Sequence, residues 1–503
     1  MNRRKFLEAS ATVTLCPAFA EDNKALARRL SADPHRPQFH FLPPANWMND
    51  PDAPLYWNSQ YHMFYQHNPN GAYWANMHWG HAVSDDMIHW KHLPIALAPT
   101  PGGPDKDGVF TGSAVIDDGV PTVVYTGVRP EVVMIATSDN EMIRWTKFSG
   151  NPVISRPPGG AKVVGFRDPC VWKENDGWYM IVGTGIKGES GGALLFQSPD
   201  LHKWRYLDPL CTGKVKEKDE PGLVAQSDMW ECPDFFPLFG KHALIVSTKG
   251  KSPYFIGKYT GHKFYPETEG HTDFGAGYAA KTMMDATGRR IYWSWIRERR
   301  GKDAFSAAGW SGVMSLPHLL TLRSDSTLGI EPLPELKTLR GAKIQIRNID
   351  LRPGKDEPIK GAPGDTIEIL AEFELGNAQE VGLKVRASPD GGEYTVAGYD
   401  RVEEQLFTDT AQASLNPDTA RAVQKGHFAL GPTETLRLHI FLDGSVMEVF
   451  ANGRACLTER MYPTQPDSLG LSVYARGGTA RAKSIEIWPV RPISTNRLTS
   501  TPA

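Results

Sequence analysis

Three short turns recur along the first half of the chain, and their spacing restricts the fold more than any other feature. Ser84-Asp85-Asp86-Met87-Ile88-His89-Trp90, Ser138-Asp139-Asn140-Glu141-Met142-Ile143-Arg144-Trp145 and Ser198-Pro199-Asp200-Leu201-His202-Lys203-Trp204 each run from serine through aspartate to tryptophan. The tryptophans are 55 and 59 residues apart. A unit of that length holds four short strands and their turns, which suits a β-propeller blade. The segments between agree: Tyr61-His62-Met63-Phe64-Tyr65, Val123-Val124-Tyr125 and Trp178-Tyr179-Met180-Ile181-Val182 are aromatic and β-branched, with turn residues close by. The repeat residues are therefore read as structural.

The same period places carboxylates. Asp50-Pro51, Asp168-Pro169 and Glu231-Cys232-Pro233 each precede a hydrophobic run; 118 residues separate the first two and 63 the second pair. Gly108-Val109-Phe110-Thr111-Gly112-Ser113 falls near the skipped period, and Asp273-Phe274-Gly275 begins a fifth after a short step of 42 residues. Equivalent positions in successive blades converge on one axis, so residues near 50, 110, 168, 231 and 273 are expected to meet in a funnel. Asn and Asp before Pro are also ordinary turn residues, so Asn49-Asp50-Pro51 alone does not separate a turn from a reactive group.

Beyond about residue 335 the texture changes. Trp488 is the single tryptophan after Trp310, while alternating strands continue, as in Thr366-Ile367-Glu368-Ile369-Leu370 and Leu436-Arg437-Leu438-His439-Ile440-Phe441. Two sheets of such strands predict a β-sandwich. The expectation is an all-β chain, a five-bladed propeller over 36–335 followed by a sandwich over 345–490. Glu331-Pro332-Leu333-Pro334 reads as the linker, Arg297 to Lys302 as a solvated turn, and Asp443 and Glu448 as sandwich-turn and surface residues.

Residues 1–20 read as an export signal. Arg3-Arg4-Lys5-Phe6-Leu7 is basic, an apolar stretch follows, and Ala18-Phe19-Ala20 is a small-x-small cleavage pattern. Paired arginines before Phe-Leu resemble the bacterial twin-arginine signal, which predicts a periplasmic or extracellular protein. No later apolar run is long enough to span a bilayer. A net charge of −2 offers no field for nucleic acid. The later cysteines, Cys170, Cys211, Cys232 and Cys456, make neither a disulfide framework nor a zinc motif.

Two carboxylates across a polar pocket are the equipment of glycoside hydrolysis, one ionised and the other protonated to serve the leaving oxygen. Trp47, Trp74, Phe110, Trp230 and Trp295 are candidate sugar-stacking walls; each taken singly reads more readily as core, and a place near the expected funnel moves Trp47 and Trp74 the other way. Trp47-Met48-Asn49-Asp50-Pro51, Phe64-Tyr65-Gln66-His67-Asn68-Pro69, Phe166-Arg167-Asp168-Pro169 and Trp230-Glu231-Cys232-Pro233 resemble the signature blocks of glycoside hydrolase family 32. Asp273-Phe274-Gly275 with Tyr278-Ala279-Ala280, Met314-Ser315-Leu316-Pro317 and Asp443-Gly444-Ser445-Val446-Met447-Glu448 continue the resemblance. The family comprises invertases, inulinases, levanases and related fructosyltransferases on a five-bladed propeller with a β-sandwich.

The resemblance implies a retaining β-fructosidase acting on sucrose or a fructan such as inulin or levan. Asp50 is its nucleophile, Glu231 its acid/base and Asp168 the holder of sugar hydroxyls, with Arg167 beside it. It implies a fructose pocket lined by Trp47, Asn49, Gln66, Trp74, Phe110, Thr111, Asp273 and Trp295, and no metal or organic cofactor. A fructosyltransferase on the same fold and a non-catalytic fructan-binding propeller are the alternatives. The chain departs from the family at Asp52-Ala53, where Asn-Gly is usual, at Thr111, where serine is common, and at His318, where arginine is usual. Alanine resists the left-handed backbone that Asn-Gly tolerates. Asp52, if close, is expected to raise the pKa of Asp50.

Overall fold

The computed structural model describes residues 17–159, 163–186, 190–213, 229–362 and 364–494. The expected signal segment lies outside them but for its last four residues, which fall in the helix Pro17–Ala32. From Asn46 the chain winds into antiparallel sheets, each a meander from an inner to an outer strand. The five inner strands are Asn46–Trp57, Gly108–Asp117, Val163–Glu174, Glu231–Leu238 and Gly277–Met284. They lie against one another in cyclic order, and the fifth closes onto the first. The result is a five-bladed propeller.

The serine–aspartate–tryptophan repeat is the turn between third and fourth strands in the first three blades. In the first, Asp86 accepts the backbone N–H groups of Ile88 and His89, while the Trp90 indole donates to Met87 O at 3.2 Å. Asp200 accepts the N–H groups of His202 and Lys203, and Trp204 donates to Leu201 O. Trp145 donates to Met142 O in the same way. The residue that turns the corner is left-handed each time: Met87, Met142 and Leu201 at φ 64°, 55° and 63°. The aspartate holds the peptide N–H groups that such a turn exposes, and the tryptophan fastens it to the blade.

Ring closure depends on a glycine. Trp310–Ser311 pairs in parallel with Asn46 and Trp47 on the innermost strand of the first blade. Gly312 follows at φ 80°, where a Cβ would stand 1.9 Å from Met48 O. Trp79, Trp230, Trp293 and Trp310 are buried between sheets. Trp230 is thus core, not a sugar-stacking wall.

The second unit is a sandwich of two six-stranded sheets with an aliphatic interior. Its junction with the propeller joins apolar side chains such as Phe441, Phe450 and Leu316 to a sealed polar network, which corrects two expectations. Asp443 is buried, accepting the N–H groups of Gln38, Phe39 and His40. Glu448 is buried too, bonded to Leu316 N, His40 Nε2 at 3.0 Å and His318 Nε2 at 2.7 Å. A surface reading failed because both lie on strands that look solvent-facing when the sandwich is considered alone. The segment from Arg297 is no solvated turn: Glu298 pairs with Arg300 at 2.8 Å, accepts the Tyr462 hydroxyl and faces Arg460. The stretch read as the linker joins the two units and is itself packed, with Leu333 buried and the 3-10 helix Pro334–Leu339 burying Leu336 and Leu339.

Candidate active site

Each inner strand carries a β-bulge near the axis. The register breaks between Asp52 and Leu55, Phe110 and Gly112, Arg167 and Cys170, Glu231 and Asp234, and Tyr278 and Lys281. Four of these hold a non-glycine residue in the left-handed region: Ala53 at φ 45°, Asp168 at 63°, Cys232 at 47° and Ala279 at 56°. A bulge bends its strand and re-aims side chains, so the five together turn their residues toward one mouth. The backbone at Ala53 takes the left-handed form despite its Cβ, at a cost of about 1 kcal/mol.

The mouth is a cavity of about 520 Å³ lined by residues of all five blades, including Asp50, Asp168 and Glu231. Asn49, Gln66, Trp74, Phe110, Thr111, Arg167 and Trp295 also line it. Asp50 is fixed on three sides: Asn49 Nδ2 donates to Oδ1 at 3.0 Å, and the Thr111 hydroxyl and Cys232 thiol donate to Oδ2 at 2.7 and 3.3 Å. Asp168 Oδ2 accepts Cys232 N at 2.8 Å. Glu231 is held at both oxygens, by Arg167 Nη2 at 2.5 Å and by the Tyr278 hydroxyl. Arg167 also meets Glu131 at 3.0 Å and Asp168 at 3.9 Å, so one guanidinium serves three carboxylates.

Burial raises the Asp50 carboxyl; its three donors oppose this, and the Glu231 charge adds to it. Asp168 is pushed up to about 7 by burial, against the Arg167 charge and with help from Asp50 and Glu231. Desolvation thus works against charge on the wall while the donors select where charge stays.

Two residues expected in the pocket stand elsewhere. Asp273 is buried in the junction with the sandwich, where Oδ1 accepts Gly275 N and Thr458 N at 2.5 and 3.2 Å. Gly275 there lies so close to the sandwich that a Cβ would be 1.9 Å from Thr458 O. The phase was short: the fifth inner strand starts at Gly277, and Tyr278 is the residue that reaches the mouth. Trp47 sits behind the wall, its indole donating to Asn49 Oδ1 at 2.7 Å and its ring 6.0 Å from Trp295. Sequence reasoning gave no role to Tyr278, Glu131 or Arg129. The 42-residue step was the available signal for Tyr278; Glu131 and Arg129 lie in a hairpin that carries none.

The expected influence of Asp52 on Asp50 runs the other way. Asp52 is buried completely, with Gln66 Nε2 donating to Oδ2 at 2.9 Å. Burial first and the Asp50 charge second push its carboxyl well above the usual range.

Two family models cover the chain: the glycosyl hydrolases family 32 N-terminal domain matches residues 40–332 and the C-terminal domain residues 335–489. The chain belongs to glycosyl hydrolase family 32. A levanase of Bacillus subtilis is 34% identical, the alignment covering 96% of this chain and 74% of that one. A sucrose-6-phosphate hydrolase of Escherichia coli is 35% identical over 90% and 94% of the two chains. The crystal structure of fructan 1-exohydrolase IIa from Cichorium intybus superposes with a TM-score of 0.83 at 27% identity, covering 91% of this chain and 98% of that one. This family member is a glycoside hydrolase of the β-fructofuranosidase type.

Proposed function

We propose that the protein is a retaining β-fructosidase that hydrolyses sucrose or a fructan by double displacement. The observation that carries this is one cavity lined by Asp50, Asp168 and Glu231, with Asp50 and Glu231 held by separate donor sets. Asp50, oriented by Asn49, Thr111 and Cys232, attacks the anomeric carbon of the fructofuranosyl unit. Glu231 delivers a proton to the departing oxygen and then takes one from the water that releases fructose. Arg167 and Tyr278 set the direction of that carboxyl. Asp168, backed by Arg167, holds sugar hydroxyls and steadies the oxocarbenium-like transition state. Trp74 and Phe110, 5.8 Å apart and edge to face, and Trp295 offer apolar faces to the sugars. Gln66, anchored on Val109 O at 3.0 Å, completes the rear wall.

The chain also carries the features of an exported enzyme, the twin arginines at Arg3-Arg4 and the Ala18-Phe19-Ala20 pattern. Among the described residues no helix is long and apolar enough to cross a membrane. Fractionation of expressing bacteria, with and without Arg3→Lys and Arg4→Lys, tests export; retention of the wild type in the cytoplasm would overturn it. For the activity, the protein is incubated with sucrose, inulin, levan and arabinan beside Asp50→Asn and Glu231→Gln. Free fructose from at least one fructoside, lost in both variants, is expected. Tight fructan binding without release from any of them would favour a binding module.

A further inference from the structure

Asp52 is the buried acid that the mechanism above does not use. It sits two residues from Asp50, across the bulge, with no side-chain exposure. Its Oδ2 accepts Gln66 Nε2, but Oδ1 is sealed without a hydrogen-bond partner. A sealed, unpartnered carboxylate oxygen is costly, whereas a protonated one becomes a donor. The Thr111 hydroxyl, which donates to Asp50 at 2.7 Å, also interacts with Asp52. The charged groups that act on Asp52 are Asp50 on its own strand and Asp168 on the third inner strand, both carboxyls. The neighbouring strands Gln60–Asn68 and Gly108–Asp117 present the neutral Gln66 and Thr111. Gln66 and Thr111 hold the carboxyl down through their hydrogen bonds, but burial and the two carboxylates outweigh them and no cation acts in this set.

We propose that Asp52 works as a neutral carboxylic acid, a positioning residue that holds Gln66 and Thr111 and, through Thr111, the oxygen of Asp50 that accepts its hydroxyl. It takes the part an amide would take at the position where the resemblance expects asparagine. Burial and the Asp50 charge both raise its carboxyl, in the sense that favours this form. The inference rests on the nucleophilic role of Asp50, and its test has an arm that does not.

Asp52→Asn replaces a neutral acid with a neutral amide of the same shape. The expected result is kcat within about threefold of wild type and an acid limb of kcat/KM unmoved within about 0.3 units. Asp52→Ala frees Gln66 and Thr111, and kcat falls on the order of 10²-fold with KM changed less. A limb in Asp52→Asn displaced downward by a unit or more would overturn the proposal, because deleting a real charge beside Asp50 eases its ionisation. So would full kcat in Asp52→Ala. The independent arm is thermal melting. A carboxyl whose folded pKa is raised is neutral in the fold but ionised in the unfolded chain, so wild type loses stability as pH climbs above the ordinary range. Asp52→Asn should melt with wild type near pH 4 and about 2 °C or more above it at pH 7. A melting difference independent of pH would sink the neutral-acid assignment even if no fructoside proved to be a substrate, while absent turnover with the expected melting behaviour would sink only the fructosidase reading.

Discussion

Replacing His40 by glutamine should remove a pH-dependent fastening between propeller and sandwich. The imidazole is fully buried, with Nδ1 2.8 Å from Asp443 and Nε2 3.0 Å from Glu448. Burial lowers its pKa, but the two carboxylates outweigh it and bring it up to about 9. Glu448 moves down to about 2 in the matching sense, with His318 and His40 overcoming its own burial. A rise from the ordinary 6.5 to about 9 is worth about 3 kcal/mol of folding free energy. For a raised cationic group that stability is complete below about pH 6.5 and is lost as pH climbs through 9. In a chain of this size it corresponds to a melting shift of about 3 °C. His40→Gln leaves Asp443 and Glu448 facing a neutral group, at a cost of about 3–5 kcal/mol near pH 7. Melting is followed for both proteins from pH 6 to 10. The variant should start lower, and the gap should narrow toward pH 10. Parallel curves with a constant gap would refute the buried imidazolium, because a steric defect carries no pH dependence.

Arg167→Lys keeps one charge but loses the fork that spans Glu131 and Glu231, so kcat should fall about 10- to 100-fold in sucrose hydrolysis assays; unchanged kcat would contradict the shared-guanidinium geometry. Trp74→Ala removes an aromatic face that is 53% exposed, so KM should rise while the melting temperature hardly changes. Asp273→Ala should lower the melting temperature and leave kcat/KM of the folded enzyme within about threefold, whereas a fructose-binding residue would lose on the order of 10² or more. Ala53→Gly relieves about 1 kcal/mol of left-handed strain but deletes a buried methyl worth about 0.8 kcal/mol, so its melting point should stay within about 1 °C of wild type.

The propeller was legible because three of its blades share one turn, whose aspartate and tryptophan are visible in the primary sequence. The fourth blade turns through Thr260-Gly261-His262 instead, and the fifth through residues 323–327, neither with the tryptophan, so neither repeats the signal. The acidic wall of the cavity was legible where a carboxylate preceded a proline at blade phase. It failed at Asp273, where the same phase meets the sandwich rather than the axis. The polar network of the junction was not legible: Asp443 and Glu448 take their side-chain partners from segments 130 to 408 residues away, such as His318 and His40, and Glu298 adds Tyr462, 164 residues on, to its local pair with Arg300. Asp52 was visible as a departure and the upward direction of the effect was legible, but not which carboxyl of the two takes it. Proximity of two acids predicts repulsion, and burial decides which carboxyl is raised further, here Asp52.

Methanolysis tests whether Asp50 forms a covalent fructosyl intermediate. The enzyme is given its fructoside in water containing methanol, and the methyl fructofuranoside formed at early times is assigned by NMR. Attack of methanol on a fructosyl–Asp50 ester inverts the configuration a second time, so the account predicts the β-anomer, absent in Asp50→Asn. The α-anomer as the initial product would mean a single displacement and would contradict the nucleophilic role of Asp50.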